Sequence, residues 1–266
     1  MTAPADCLTP DASPASALST MRERGYRHMP VADGDDLVGI VSLRDLARVA
    51  RIGPAEVPRG LAGVVVTDTA VGNVRGEEGF YHYRQYSAVD LARSRPLEDV
   101  WQLMVDGHLP ADPSERDRFR AEVRALRAIP RPVAEVLPAI AGSGTILDGL
   151  RTALSLLGAD RRMRPLLDID APTRRADALR LAAVTPGLVA ALHRLSLGLA
   201  PVPSREDLAP GADLLWMLTG REPDPASARA LETYLITTVD HGFNASTFTA
   251  RVVASTGADL AACIVA

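Results

Sequence analysis

The sequence predicts a mainly α-helical protein with a small α/β module ahead of the helices. Aromatic residues make up 4% of the 266 residues and 47% are hydrophobic, so the core must consist of Ala, Leu and Val, which suits packed helices better than a β-sandwich. After Ala88, apolar residues recur every three or four positions, which predicts helices with one buried face. Two glycines and two prolines at 52–60 interrupt the pattern and predict two domains, 1–54 and 55–266.

The first domain contains two helix patterns and two strand patterns. Ser13 followed by Pro14 is typical of a helix N-terminus, and glycines at 25 and 34 predict turns. A sheet of two strands with two helices is covered on only one face, so we expect this module to require a partner. The predicted elements are a helix at 14–24, strands at 27–33 and 37–42, and a helix at 43–50.

The second domain begins with a strand pattern and continues as helices. Residues 61–87 alternate apolar and polar positions with glycines between them, which predicts short strands or a hairpin. Four helical patterns end at a glycine, at 107, 158, 198 and 220, as expected for a residue that takes the left-handed conformation readily. The predicted helices cover 88–107, 113–129, 144–158, 175–198, 211–220, 224–242 and 245–265.

Charge and hydropathy exclude several classes of protein. The net charge is −4, every Lys or Arg position is arginine, and no run of like charge occurs, so the basic stripe typical of nucleic-acid binders is missing. Residues 1–16 do not have the pattern of a signal peptide, and no stretch approaches the ~18 apolar residues of a membrane span. We therefore expect a cytoplasmic protein that binds neither nucleic acid nor membrane.

The cysteines and most of the histidines are interpreted as structural. Cys7 and Cys263 lie at opposite ends of the chain, and we expect both to be reduced and buried. No histidine shows metal-ligand spacing with a second His or Cys, so no metal site is predicted. The histidines interpreted as structural are His28, His82, His108 and His193.

Four stretches of the chain resemble the citrate synthase family, over about Gly60 to Ala262. The most specific stretch is "DHGFNASTFTARVVAST" at 240–256, because the family uses a D-H-x-x-N-x-S-T run at a helix start beside oxaloacetate. The stretches occur in the same order as in the family. They cover 60–92, 96–110, 214–236 and 240–256.

The resemblance implies a nearly all-α fold with a large and a small domain, a homodimer, and condensation of acetyl-CoA with oxaloacetate to citrate. In that reaction a carboxylate removes a methyl proton, neutral donors polarise the carbonyl oxygens, and positive charges hold the carboxylates. Acetyl-CoA is the co-substrate, and no separate cofactor is expected. By position, His241 resembles the family's oxaloacetate-binding histidine and Asn244 a helper from the same turn. A helix N-terminus suits an anionic substrate, although both side chains could also serve only as helix caps.

The family's catalytic residues follow this motif, beyond the last of the 266 residues. They are two histidines, an aspartate and several arginines. We therefore expect no catalytic residue in this chain, and interpret it as the N-terminal part of a split or truncated enzyme. Such a chain would be inactive alone and would form a homodimer, or a hetero-oligomer with a polypeptide that carries the missing half. The choice between acetyl-CoA and propionyl-CoA, and hence between citrate and 2-methylcitrate, stays open.

Residues 1–52 resemble a single CBS motif, through "PDASPASALSTMRERGYRHMPVADGDDLVGIVSLRDLARV". CBS modules use a G-x-x-S/T-x-x-D pattern to place a hydroxyl and a carboxylate at the phosphate and ribose of a nucleotide, and Gly39, Ser42 and Asp45 match it. A simple helix cap at Ser42 would explain the same residues. An adenine nucleotide is the implied ligand, and a dimer is expected because the family pairs two motifs.

The CBS motif supports an alternative function. The chain could be a non-catalytic regulatory protein that senses a nucleotide on a synthase-like dimer scaffold. A decayed fragment without a stable fold is the third interpretation. The first interpretation predicts oxaloacetate binding at His241 and Asn244, whereas the second predicts nucleotide binding without a partner polypeptide.

Overall fold

The computed structural model describes residues 6–34, 36–43, 46 and 67–266. The chain forms two compact units, Met1–Thr67 and Asp68–Ala266. The described part is mainly helical, as the sequence predicts. The helix predicted at 43–50 and the start of the strand pattern at 61–66 lie outside the described residues, except for Leu43 and Leu46.

In the described residues of the first unit, a helix at 14–24 packs on an antiparallel strand pair. The Ser13 hydroxyl accepts a hydrogen bond from the Ser16 amide at 3.2 Å and begins the helix, and Gly25 ends it with a φ of 72°. The core cluster is Leu8, Ala17, Leu18, Met21, Met29 and Leu46. The elements are α1 Pro14–Arg24, β1 His28–Asp33 and β2 Asp36–Ser42, which confirms the predicted helix and strands.

Strand β2 exposes much of its apolar surface. Leu37, Val38 and Ile40 are 65%, 57% and 67% exposed. This agrees with a sheet that is covered on one face only, and the partner of this surface stays a prediction. Leu8 pairs with Val31 in a parallel bridge and is buried.

Cys7 and Cys263 differ in burial. Cys263 is buried, as expected, but Cys7 is exposed, so the prediction of burial is wrong for Cys7. Alternate residues of an extended segment point to opposite sides, and Leu8 takes the inward position beside it.

The second unit begins with a small antiparallel sheet, which confirms the predicted hairpin. The strands are β3 Gly72–Arg75, β4 Phe80–Tyr83 and β5 Tyr86–Ser87, in the order β3-β4-β5. The helices that follow are α2 Ala88–Ser94, α3 Leu97–Asp106, α4 Pro113–Ala125, α5 Arg131–Ala134, α6 Leu137–Ala141, α7 Ile146–Asp160, α8 Ala171–Ser196, α9 Pro210–Thr219, α10 Pro225–Thr237, α11 Ala245–Ser255 and α12 Leu260–Val265. None of the helices in these described residues is long and apolar enough to cross a bilayer.

Two helices predicted as continuous are each broken in the structure. The pattern at 88–107 becomes α2 and α3, because Arg95 precedes Pro96 and takes an extended conformation with φ −121° and ψ 148°. The pattern at 245–265 becomes α11 and α12. Gly257 turns the chain with a φ of 86°, and the Asp259 carboxylate accepts from the Ala262 amide at 3.0 Å to begin the new helix.

The prediction that Gly158 ends a helix is wrong. Gly158 lies inside α7, which continues to Asp160. A Cβ atom at Gly158 would lie 2.6 Å from the Ala261 Cβ, so the glycine permits the close approach of α12 to α7. By contrast, Gly107 and Gly220 end α3 and α9 in the left-handed conformation, as predicted.

Two apolar clusters form most of the core of the second unit. The larger one lies between α7, α8 and α12 and includes Leu157, Leu188 and Ala261. The smaller one joins the sheet to α2, α3 and α10 and includes the fully buried Tyr83 and Ile236. Ile236 of this smaller cluster directly precedes, in the sequence, the segment that carries the candidate site.

Candidate functional site

Residues 238–244 form the loop that joins α10 to α11. The sequence predicts helix as far as 242, but α10 ends at Thr237, and His241 therefore lies in a loop. The Asn244 side chain is the N-cap of α11, and its Oδ1 accepts from the Thr247 amide at 2.8 Å. The structure thus brings His241 and Asn244 to the N-terminus of a helix.

The two predicted oxaloacetate-binding residues contact each other. The Asn244 Nδ2 lies 2.8 Å from the His241 Nε2. Since the Asn244 Oδ1 faces the Thr247 amide, the donor end of the side-chain amide must face the imidazole. The Nε2 atom is then the acceptor, and the neutral ring carries its proton on Nδ1. The His241 side chain is exposed, so this Nδ1–H can reach a ligand.

Asp240 supports the turn that contains His241. Its Oδ2 accepts from the Gly242 amide at 2.9 Å, and Gly242 has a φ of 89°, which favours glycine. The Asp240 carboxylate therefore accepts a hydrogen bond from the residue that follows His241. This hydrogen bond closes the turn around His241 and stabilises it.

The chemistry of this arrangement favours an anion. A neutral imidazole donor lies beside the first turn of α11, where backbone amides and the helix dipole attract negative charge. Within the described ranges, no group of three or more His, Cys, Asp or Glu residues could hold a metal ion. The imidazole donor and the helix N-terminus together suit an anionic ligand.

The predicted nucleotide site is only partly described. Ser42 is the last residue of β2, where it pairs with His28, and it is partly buried. Asp45 lies outside the described residues. The assignment of both to a nucleotide therefore stays a prediction.

The remaining histidines of the second unit make local contacts. His82 stacks on Phe80 with ring centroids 3.8 Å apart, and the Nε2 of His108 lies 2.9 Å from the Glu115 carboxylate. A cavity of about 370 Å³ is lined mainly by the segments 127–129 and 201–206, with single residues of α4 and α9 and two of α8, and His241 and Asn244 are not among its lining residues.

Sequence reasoning missed two residues that contact the 238–244 loop, Gly72 and Tyr81. Both belong to the β3–β4 hairpin, more than 150 positions earlier in the chain. A glycine at the start of a strand was the available signal, since it often marks close approach of another segment. Nothing in the sequence indicated which segment approaches.

Comparisons with known proteins identify the families that the chain resembles. The family model "Citrate synthase, C-terminal domain" matches residues 60–266, and the CBS domain model matches residues 1–51. The citrate synthase of Mycolicibacterium smegmatis is 38% identical over 216 residues, which cover 80% of this chain and 56% of that protein. The 2-methylcitrate synthase of Mycobacterium tuberculosis is 38% identical over 205 residues, which cover 77% and 51%.

Solved structures show the same fold. Citrate synthase from Pyrobaculum aerophilum superposes with a TM-score of 0.72 at 32% identity, over 78% of this chain and 53% of that one. Citrate synthase from Thermotoga maritima superposes with a TM-score of 0.67 at 28% identity, over 78% and 53%. The chain spans about half the length of the curated relatives it matches. With a family model that covers residues 60–266 and a CBS domain model that covers 1–51, the chain belongs to the citrate synthase family and carries a CBS domain.

Proposed function

We propose that this chain supplies the oxaloacetate-binding half of a citrate synthase-type site, and that polypeptide outside these 266 residues completes the site. The observation that carries the proposal is the pairing of His241 with Asn244 at the N-terminus of α11. This pairing leaves an exposed Nδ1–H beside a helix N-terminus, where a keto-dicarboxylate would bind.

The chemistry of condensation requires more than these two residues. A base must remove the α-proton of the acyl-CoA, and cations must hold two carboxylates. The acidic residue adjacent to His241 is Asp240, whose carboxylate is held by the Gly242 amide. The half-length match to the relatives fits a function in which a base and further cations come from another segment or chain.

Oxaloacetate binding tests the first part of the proposal. We expect a saturable change in the NMR signals of His241 and Asn244 when oxaloacetate is added to the purified chain. His241→Ala should weaken binding at least tenfold, or about 1.4 kcal/mol. His193→Ala, on α8, is the matched control and should leave the affinity unchanged.

Binding that survives His241→Ala would contradict the assignment of this residue. A chain that binds no oxaloacetate at millimolar concentration would contradict the proposed function as a whole.

Thiol release from the acyl-CoA tests the second part. The chain alone, with oxaloacetate and either acetyl-CoA or propionyl-CoA, should release no thiol. Oxaloacetate-dependent release by the isolated chain would contradict the requirement for further polypeptide, and the preferred acyl-CoA would then separate citrate from 2-methylcitrate synthesis.

A second candidate function rests on the CBS domain match at residues 1–51. In it, the chain is a regulatory protein in which Ser42 and Asp45 contact an adenine nucleotide. Calorimetry with ATP and AMP tests it directly, with Ser42→Ala as the variant that should lose binding. Nucleotide binding together with absent oxaloacetate binding would favour this function over the first.

A further inference from the structure

The β3–β4 hairpin lies against the loop that carries His241. The Tyr81 hydroxyl lies 2.7 Å from the carbonyl oxygen of Asp240 and also contacts the carbonyl of Thr237. It is 2.8 Å from the Tyr83 hydroxyl. The Tyr81 hydroxyl has one proton, and three acceptors lie within its reach: the Thr237 carbonyl at the end of α10, the Asp240 carbonyl directly before His241, and the Tyr83 oxygen.

Tyr83 forms a hydrogen bond with the last turn of α10. Its hydroxyl donates to the Ile236 carbonyl at 2.6 Å, and the side chain is fully buried. Burial is the main cause that raises the pKa of Tyr83, so the hydroxyl remains a donor at physiological pH. Carbonyls in the last turn of a helix have no partner inside the helix, and the tyrosine hydroxyls supply partners here.

Gly72 lets the loop approach the hairpin closely. A Cβ atom at Gly72 would lie 2.2 Å from the Asp240 Oδ2 and 3.2 Å from its Cγ. The Asp240 carboxylate thus packs directly on the backbone of β3, while its Oδ2 accepts from the Gly242 amide. The residues on both sides of His241 are held by this contact.

We infer that Tyr81 is a positioning residue for His241, and that Gly72 provides the space for this positioning. The inference rests on the proposed function, because it concerns the same site. An exposed side chain ordinarily loses conformational freedom when it binds a ligand, and prior fixation of the loop lowers that cost. Tyr81 holds the peptide before His241, Asp240 braces the turn after it, and Asn244 holds the ring. The imidazole therefore points in one direction without being buried.

Tyr81→Phe tests the inference, with Tyr86→Phe as the matched control. Tyr86 lies in β5 of the same sheet and is also partly buried, but no hydrogen bond of its hydroxyl occurs in the part of the chain described. We expect Tyr81→Phe to shift the imidazole ¹⁵N signals of His241 and to speed exchange of the Gly242 amide at least fivefold in the ligand-free chain. Tyr86→Phe should leave both at the original values.

Oxaloacetate affinity is the second readout. Tyr81→Phe should weaken binding by about fivefold to tenfold, while the urea midpoint of the chain changes little. Tyr83→Phe separates this effect from general destabilisation, because it should lower the urea midpoint and shift the His241 signals less than Tyr81→Phe does. Gly72→Ala should shift the His241 signals by displacing Asp240, and it provides a second route if Tyr81→Phe fails to fold.

The NMR and amide-exchange measurements on the ligand-free chain distinguish failure of the oxaloacetate-binding proposal from failure of the positioning role of Tyr81. If the chain binds no oxaloacetate but Tyr81→Phe alone among the tyrosine variants frees the His241 loop, the proposed function fails and the positioning role stands. If Tyr81→Phe and Tyr86→Phe give the same His241 signals, Gly242 exchange and affinity, the positioning role is overturned.

Discussion

Helices α8 and α11 differ in how they are held in the fold. Helix α8 has 26 residues, buries nine of them and packs against α3, α4, α6, α7, α9 and α12. Helix α11 has 11 residues and buries none of them, although its sequence is also amphipathic. It packs against α12 and the short 3₁₀ turn at Leu166–Asp168.

The difference indicates that α8 contributes mainly to the stability of the fold, whereas α11 belongs to the proposed recognition site. Burial of apolar surface around α8, in the larger of the two clusters, supplies much of the folding free energy of the second unit. Helix α11 is held by the Asn244 cap, by the contacts of the 238–244 loop with the hairpin, and by partly exposed packing on α12 and the 3₁₀ turn. Its exposed apolar residues, such as Val252, which is 47% exposed, are available to further polypeptide.

The largest expected effect comes from the buried charges beside α8. The Arg127 guanidinium lies 3.2 Å from the Glu98 carboxylate and 3.4 Å from that of Asp213, and all three residues are buried. Desolvation raises the pKa of Glu98 and lowers that of Arg127, so these charges are expensive to bury. Arg127→Met leaves Glu98 with Arg120 as its remaining cation, and Asp213 with only the Ser204 hydroxyl and the Arg205 amide. The loss of a buried guanidinium shared by two carboxylates should lower the free energy of unfolding by about 4 kcal/mol.

Urea unfolding followed by tryptophan fluorescence measures this change, since Trp101 and Trp216 both lie in the second unit. Arg118→Met is the control, because Arg118 is an exposed arginine of the preceding helix α4 whose side chain donates to the Ser114 hydroxyl at the surface. Equal stability of the two variants would show that the buried charges are not held by Arg127.

Truncation of one apolar side chain on each helix measures how much burial on α8 and on α11 contributes to stability. Leu188 on α8 is fully buried, and Leu188→Ala should cost about 3 kcal/mol through lost burial and a cavity. Val252→Ala on α11 should cost about 0.5 kcal/mol or less in the isolated chain. A large loss of stability from Val252→Ala would contradict the view that α11 contributes little buried surface to the folded unit.

Asn244 links the stability of α11 to the proposed site. Asn244→Ala removes the cap of α11 and should lower the free energy of unfolding by about 1 kcal/mol. Asn244→Asp keeps the acceptor for the Thr247 amide but removes the Nδ2 donor that faces His241. Its stability should match the original chain, while oxaloacetate affinity falls. If Asn244→Ala lowers stability but leaves the oxaloacetate affinity unchanged, Asn244 acts only as a helix cap.

The smallest expected effect lies at the surface beside α4. The hydrogen bond to the Glu115 carboxylate raises the pKa of His108. The stabilisation from this pair is therefore complete below the ordinary value of about 6.5 and is lost as the pH rises through the raised pKa. Glu115→Gln should lower the pKa of His108 in an NMR titration, whereas Glu135→Gln should not change it. An unchanged His108 titration in Glu115→Gln would contradict the pairing.

Local sequence patterns were sufficient for most elements of the fold. Ser13, Asp224 and the glycines at 107 and 220 predict helix ends because caps act through hydrogen bonds within three or four residues. Gly158 misled the same reasoning, because its role depends on Ala261, about a hundred positions later. The break at Pro96 was available in the sequence but was outweighed by the apolar periodicity.

The sequence by itself determined the helical class, the strand and helix order, and the motif that contains His241 and Asn244, because periodicity, caps and a contiguous motif are local properties. Only the tertiary structure decided that His241 leaves the helix, that its ring accepts from Asn244, and that Gly72 and Tyr81 support the loop. The His241–Asn244 contact is local but depends on where α10 ends. Gly72 and Tyr81 lie more than 150 positions from Asp240, and packing, which no local pattern encodes, brings them together.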